Sequence, residues 1–279
     1  MRYCHFLLLC IVTASLSAQI TCSPANKQAY ENKILEVNGL LEDDFGNTLV
    51  AIGKTFLGTP YVAKTLEVGD TETLVVNLLG LDCTTFVENV LALGLTLKND
   101  TPSFEDFVGT LETLRYRDGQ LNGYPSRLHY FTDWIRDNEE KGLVQDITVQ
   151  LDGKIHPKPI SFMGTHRELY PHLADDDTNW STIKEVEATL SKQPLCVLPQ
   201  DQIEEMEHLI QPGDIIALAT SIKGLDVTHT GIATREADGR IHLLHASTKS
   251  MQVEISQKPL VDYLKDIKGN IGVCIIRPL

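Results

Sequence analysis

The chain has 279 residues, 42% hydrophobic and 22% charged, enough to bury a sizeable core in one large domain or two small ones. Its formal charge of −14 argues against nucleic acid or an anionic membrane as the main partner. No apolar run beyond the N-terminus is long enough to span a bilayer, so no transmembrane segment is expected.

Arg2, the apolar run from Phe6 to Val12, and then Ser15, Ser17 and Ala18 have the layout of an export signal. The expected division is a signal peptide over 1–21 and a single domain over 22–279, placed in the periplasm. A membrane anchor is the competing reading, but about a dozen apolar residues are too few. Lipid attachment at Cys22 is a lesser option, because Gln19-Ile20-Thr21 is a poor acylation signal. Removal of the leader leaves Cys22, Cys83, Cys196 and Cys274, too few for a disulfide scaffold. A Cys196–Cys274 bridge is allowed but not demanded. No cysteine or histidine spacing matches a metal site, and neither metal nor cofactor is expected.

Residues 24–52 read as one helix ending near Gly53, and 63–79 as an extended segment or hairpin through Thr73-Leu74-Val75-Val76. After Cys83, the spacing of Val87, Val90, Leu91 and Leu95 predicts a helix to about Lys98. A second helix is expected from Phe104 to Arg115, and a short one from Trp134 to Lys141-Gly142. The stretch 146–200 has weak alternation and several loops. Ile215–Ala219, Thr228–Thr234, Ile241–Ala246 and Gly272–Ile276 read as strands. A helical first half followed by an antiparallel meander gives an α+β domain.

The placement of Cys83 carries the chemistry. At a helix start, unpaired N–H groups favour thiolate over thiol and can later hold an oxyanion. The competing reading is a small apolar core residue. A partner base is available in His229, followed two residues later on the same face by Gly231, which leaves room for another group. His245 lies late in the next strand. A two-residue turn on Asp238-Gly239 would set the two imidazoles on opposite faces. A three-residue loop, Ala237-Asp238-Gly239, sets His245 opposite Gly231 and diagonal to His229, and this loop is expected. A lone strand histidine is usually a satisfied half-buried residue, as expected for His242. The cysteine and two histidines together point to a thiol hydrolase.

The ordered pattern Asp82-Cys83-Thr84-Thr85-Phe86, His229-Thr230-Gly231-Ile232 and His245-Ala246 resembles the NlpC-type cell-wall cysteine peptidases of papain-like fold. Gly58-Thr59-Pro60-Tyr61, Leu114-Arg115-Tyr116, Ser126-Arg127-Leu128-His129-Tyr130, Asp133-Trp134 and Gly224-Leu225-Asp226-Val227 make it similar to the N-acetylmuramoyl-L-alanine amidase-like branch. The resemblance implies N-terminal helices with the nucleophile at a helix start, packed on an antiparallel sheet, and a large, mostly helical insert over about 100–210. It implies Cys83 as nucleophile, His229 as base, His245 as the group orienting it, and Tyr61 with its hydroxyl in the site. The partners implied are peptidoglycan fragments, including anhydro-muropeptides, cleaved between the lactyl group of N-acetylmuramic acid and L-alanine. A monomer is expected. Thr84-Thr85 stands where the broader superfamily has Ser-Gly.

Within the insert, Tyr124, Arg127, His129, Tyr130 and Trp134 mix aromatic faces with cations suited to a sugar and a carboxylate. Arg115 and Arg127 are expected to supply a local positive field, and Asp226 to orient substrate or shape the turn after Gly224. The alternative for these aromatics is the core. Two rival functions remain: a γ-D-glutamyl-diamino-acid endopeptidase using the same residues, and a non-catalytic wall-binding module.

Overall fold

The computed structural model describes residues 19–279. The expected leader therefore lies outside the described residues, except for its last three positions. Of these, Ile20 and Thr21 form a short strand β1 (Ile20–Thr21) that pairs in parallel with β2 (Leu74–Val75). The hairpin considered for 63–79 is not formed; this two-residue pairing takes its place.

Helix α1 (Pro24–Val37) starts where the Ser23 hydroxyl accepts from Asn26 N, with Pro24 in the first turn, where its missing N–H costs nothing. It stops at Asn38 and at Gly39, whose φ of +91° suits glycine. A new cap, Asp44, opens α2 (Phe45–Lys54). The single helix expected over 24–52 is thus two, divided by stop and start signals that the residues themselves carry. Helices α3 (Cys83–Thr96) and α4 (Phe104–Arg115) follow, each opened by a capping box: Asp82 with Thr85, and Ser103 with Asp106. Helix α5 (Phe131–Glu140) starts three residues before Trp134.

The insert is not an appendage. It supplies β3 (Val144–Asp146), β4 (Lys154–His156) and β5 (Leu195–Pro199) to the main sheet, along with the helical turns α6 (Phe162–Thr165) and α7 (Pro171–Ala174) and the longer α8 (Asp177–Ser191). After the turn α9 (Ile203–Met206) come β6 (Ile215–Thr220), β7 (Val227–Arg235), β8 (Ile241–Ser247), β9 (Gln252–Ile255), helix α10 (Leu260–Lys265) and β10 (Asn270–Pro278). Strands β6 to β9 form a meander, but β10 returns to the far side of β6, giving the order β4-β5-β10-β6-β7-β8-β9. β3 pairs with the end of β10, and every pairing in this sheet is antiparallel.

Both faces of the sheet are covered, which is why β6 is buried at all six positions. Ile215, Ala217, Ala219, Ile232 and Leu244 share one core with helices α2 to α5 through Leu49, Phe86, Val90, Phe107 and Trp134. Ile216, Leu218, Ala233 and Leu243 meet α10 through Leu260, Val261 and Leu264. A third cluster, including Tyr124, Tyr130, Met163, Leu173 and Ile183, consolidates the insert. Cys196 and Cys274 are unbridged; the Cys274 thiol donates to the Cys196 carbonyl at 3.0 Å.

Candidate active site

Two chain features bring the cleft residues together. Residues 58–61 run along the outer edge of β9, with Gly58 N bonded to Val253 O and Tyr61 N to Met251 O. The same segment is tied to Leu81 by Val62 N to Leu81 O and Leu81 N to Pro60 O, so Tyr61 is held beside the loop that leads to Cys83. This segment also covers what would be an open sheet edge. A bulge between β6 and β7, at Leu218/Ala219, lies next to His229 at the start of β7. Bulges re-aim side chains and are common beside active sites.

Cys83 is the first residue of α3 and is partly exposed. Asp82 Oδ1 takes the Thr85 N–H and Asp82 O takes that of Phe86, leaving the N–H groups of Cys83 and Thr84 as the open donors of the first turn. Cys83 and His229 line one cleft of about 150 Å³, with Thr84, His129, Tyr130, Tyr170, Asp226 and Thr230 among its other walls.

The hairpin has the three-residue loop: Glu236 N bonds Arg240 O, and Gly239 has φ +79°. Ile232 pairs with Leu244, which sets His245 across from Gly231. A Cβ at Gly231 would stand 2.9 Å from His245 Cβ, so only glycine lets the second imidazole in. The rings meet at 86°, with His229 Nε2 and His245 Nδ1 2.6 Å apart. The Tyr263 ring from α10 meets His245 in a T-shaped pair, ring centroids 5.4 Å apart.

The charge state departs from the sequence expectation. Burial pushes the Cys83 thiol up to about 11, and the Asp82 carboxylate adds to the rise; hydrogen bonds from Thr230 and Thr84 act against it. The helix start therefore does not yield a resting thiolate, because burial of the sulfur, and after it the Asp82 charge, outweighs the N-terminal field. Burial also lowers His229 to about 4 and His245 to about 3, the latter helped by His229. At neutral pH the site holds a neutral thiol beside two neutral imidazoles. Burial raises the Tyr61 hydroxyl to about 12, with Cys83 and Asp82 contributing, so Tyr61 is neutral at physiological pH.

The insert residues divide. His129 lines the cleft and is held by its Nε2 on Tyr124 O at 2.9 Å; burial and then Arg127 keep it neutral. Arg127 does not reach the Cys83 cleft. It is buried, bound to Glu67 and 3.5 Å from Glu72, and lines a neighbouring cavity of about 240 Å³ that shares Thr84, Leu128, His129 and Tyr170 with the first. Arg115 lines that cavity too, but pairs with Glu88 at 2.8 Å. The free positive field expected from these two arginines is therefore absent, since carboxylates in the same core neutralise both. Tyr124, expected at the substrate, is 2% exposed and stacks between His129 and His172, outside both cavities. Trp134 is core against Phe131. Asp226 borders the cleft, but its oxygens accept from Thr132 N at the start of α5 and from its neighbour Val227 N, a structural clamp. Sequence reasoning missed Tyr170 and Tyr263, and it gave no role to Thr230 or Asp82 although both lie in the motifs around His229 and Cys83. Asp82, an acidic residue directly before the cysteine, carried a readable cap signal.

A thiol at a helix start, sharing a cleft with one of two hydrogen-bonded imidazoles on a mixed α+β scaffold, is chemically capable of acyl transfer. The chain belongs to the N-acetylmuramoyl-L-alanine amidase-like family, whose model matches residues 51–272. It is similar to a crystal structure of an N-acetylmuramoyl-L-alanine amidase from Bacteroides uniformis ATCC 8492: TM-score 0.80, 39% identity, covering 84% of this chain and 99% of that one. A Bacteroides fragilis protein provisionally named a xylanase gives TM-score 0.77 at 42% identity, over 81% and 98% of the two chains. A Legionella pneumophila str. Philadelphia 1 protein shares the fold at TM-score 0.68 and 22% identity, over 91% and 95%. No curated protein sequence matches the chain.

Proposed function

We propose that the protein is a cysteine amidase of papain-like, NlpC-type organisation, acting on the amide between the lactyl group of N-acetylmuramic acid and L-alanine in soluble peptidoglycan fragments. The observation that carries this reading is the 2.6 Å contact of His229 with His245 beside the cleft that Cys83 lines from the start of α3. His229, through the ring nitrogen that His245 does not engage, takes the thiol proton as sulfur attacks the carbonyl carbon. The N–H groups of Cys83 and Thr84, with the neutral Tyr61 hydroxyl, receive the oxyanion. His229 then protonates the departing amine of L-alanine and activates water, which releases the muramic acid from sulfur.

A sugar hydrolase of the kind named for the Bacteroides fragilis relative needs two carboxyl groups about 5–9.5 Å apart over an open cleft. Asp226 is the one carboxylate lining the Cys83 cleft, and backbone N–H groups occupy it. Cleavage of a defined anhydro-muropeptide, with products weighed by mass spectrometry, tests the amidase reading. Free sugar and intact stem peptide are expected, and Cys83→Ala should lose at least about a thousandfold in rate. An intact sugar–peptide with a shortened stem would assign the endopeptidase reaction instead. Equal turnover by wild type and Cys83→Ala would remove the nucleophile.

A further inference from the structure

Pairing of β8 with β9 sets Glu254 directly opposite His245. Its Oε1 lies 3.9 Å from His245 Nε2, about 1 Å beyond hydrogen-bond distance. His245 is fully buried, and this Nε2 has no hydrogen-bond partner. Buried ring nitrogens are seldom left idle, so the gap calls for an explanation.

The tautomers supply one. For His229 to accept a proton at Nδ1, its neutral ring must carry hydrogen on Nε2. That N–H then donates to His245 Nδ1 across the 2.6 Å contact. His245 in turn must carry its own hydrogen on Nε2, the atom nearest Glu254. We propose that Glu254 is a positioning residue whose carboxylate closes on His245 Nε2–H as His229 becomes an imidazolium, fixing the tautomer of both rings and lending the pair its negative charge.

This inference rests on the reading of Cys83 as nucleophile. The thiol proton moves to His229 Nδ1, and every other ring hydrogen stays on its nitrogen. His229 faces His245 from β7, Glu254 from β9, and the Tyr263 ring from α10. Lys249, Lys258 and Asp266 share with Glu254 a cavity of about 280 Å³, which gives its side chain room to move; Lys258 is itself bound to Asp266 at 2.6 Å.

Alkylation of Cys83 by iodoacetamide, read at that residue by peptide mass, tests the relay without any substrate. At pH 7 the rate depends on the thiolate–imidazolium pair, so Glu254→Gln should slow it about fivefold. At pH 10 hydroxide removes the thiol proton directly, and the two rates should agree. Glu254→Asp should recover part of the loss. An unchanged rate at pH 7, or equal slowing at both pH values, would overturn the proposal, the second outcome marking a merely loosened site. If muropeptide stays uncleaved while alkylation behaves as expected, the amidase reading fails and the role of Glu254 stands.

Discussion

At the scale of single residues, the cost of the site is solvation. Cys83, His229 and His245 are kept neutral by burial, and His245 has no exposed surface. A histidine whose folded value lies near 3 binds no proton at mildly acid pH, whereas the unfolded chain takes one up below about 6.5. Stability is therefore intact above 6.5 and declines as pH falls toward the folded values. From His245 alone the decline between pH 7 and 4.5 should be about 2 to 3 kcal/mol. Denaturant unfolding at the two pH values checks this: His245→Gln should flatten the dependence, and an unchanged slope would mean that the folded imidazole already carries a proton. The same residues explain a limit of the sequence reading. The helix start and the cysteine were legible, but the thiol's state was not, because it depends on what surrounds the sulfur after folding.

At the scale of elements, α3 and α4 are joined by a buried ion pair. Arg115 Nε donates to Glu88 at 2.8 Å and Nη1 to Val75 O, with both residues about 2% exposed. Two charges so deeply placed are tolerated because each satisfies the other. Removing one should be severe: Arg115→Met is expected to cost about 3–5 kcal/mol in denaturant unfolding, since it leaves Glu88 buried alone. The double variant Glu88→Leu with Arg115→Met should recover most of that loss. A single-variant cost under 1 kcal/mol would show that water reaches the pair. The boundaries of α4 fall where the sequence placed them, at Phe104 and Arg115, and those of β7 and β8 lie within one residue of the expected strands. Helix α8 and the strands β3 to β5 were not legible, because their half-polar segments are set by contacts with the rest of the sheet.

At the scale of the whole molecule, 38 acidic side chains against 24 Lys and Arg give the chain a formal charge of −14, and so a net negative long-range field. Arg115 and Arg127, the cations closest to the site in sequence expectation, are spent on Glu88, Glu67 and Glu72. An anionic muropeptide should thus be repelled at low salt, where the screening length is about 30 Å, and less so at physiological salt, where it is about 8 Å. Its kcat/KM should rise about two- to fivefold between 10 and 150 mM salt, while a stem with amidated carboxyls stays flat. Identical salt profiles for the two substrates would place an unneutralised cation at the entrance.

The polypeptide alone determined its α+β class, the cap and helix that carry Cys83, and the hairpin loop that aligns His245 with Gly231, because each depends on neighbours within a few residues. Only the folded chain decided that β10 crosses back beside β6, that Tyr124 and Asp226 serve the framework, and that Glu254 stands behind His245. Those outcomes depend on contacts between segments far apart in sequence, where burial and charge neutralisation outweigh local preference.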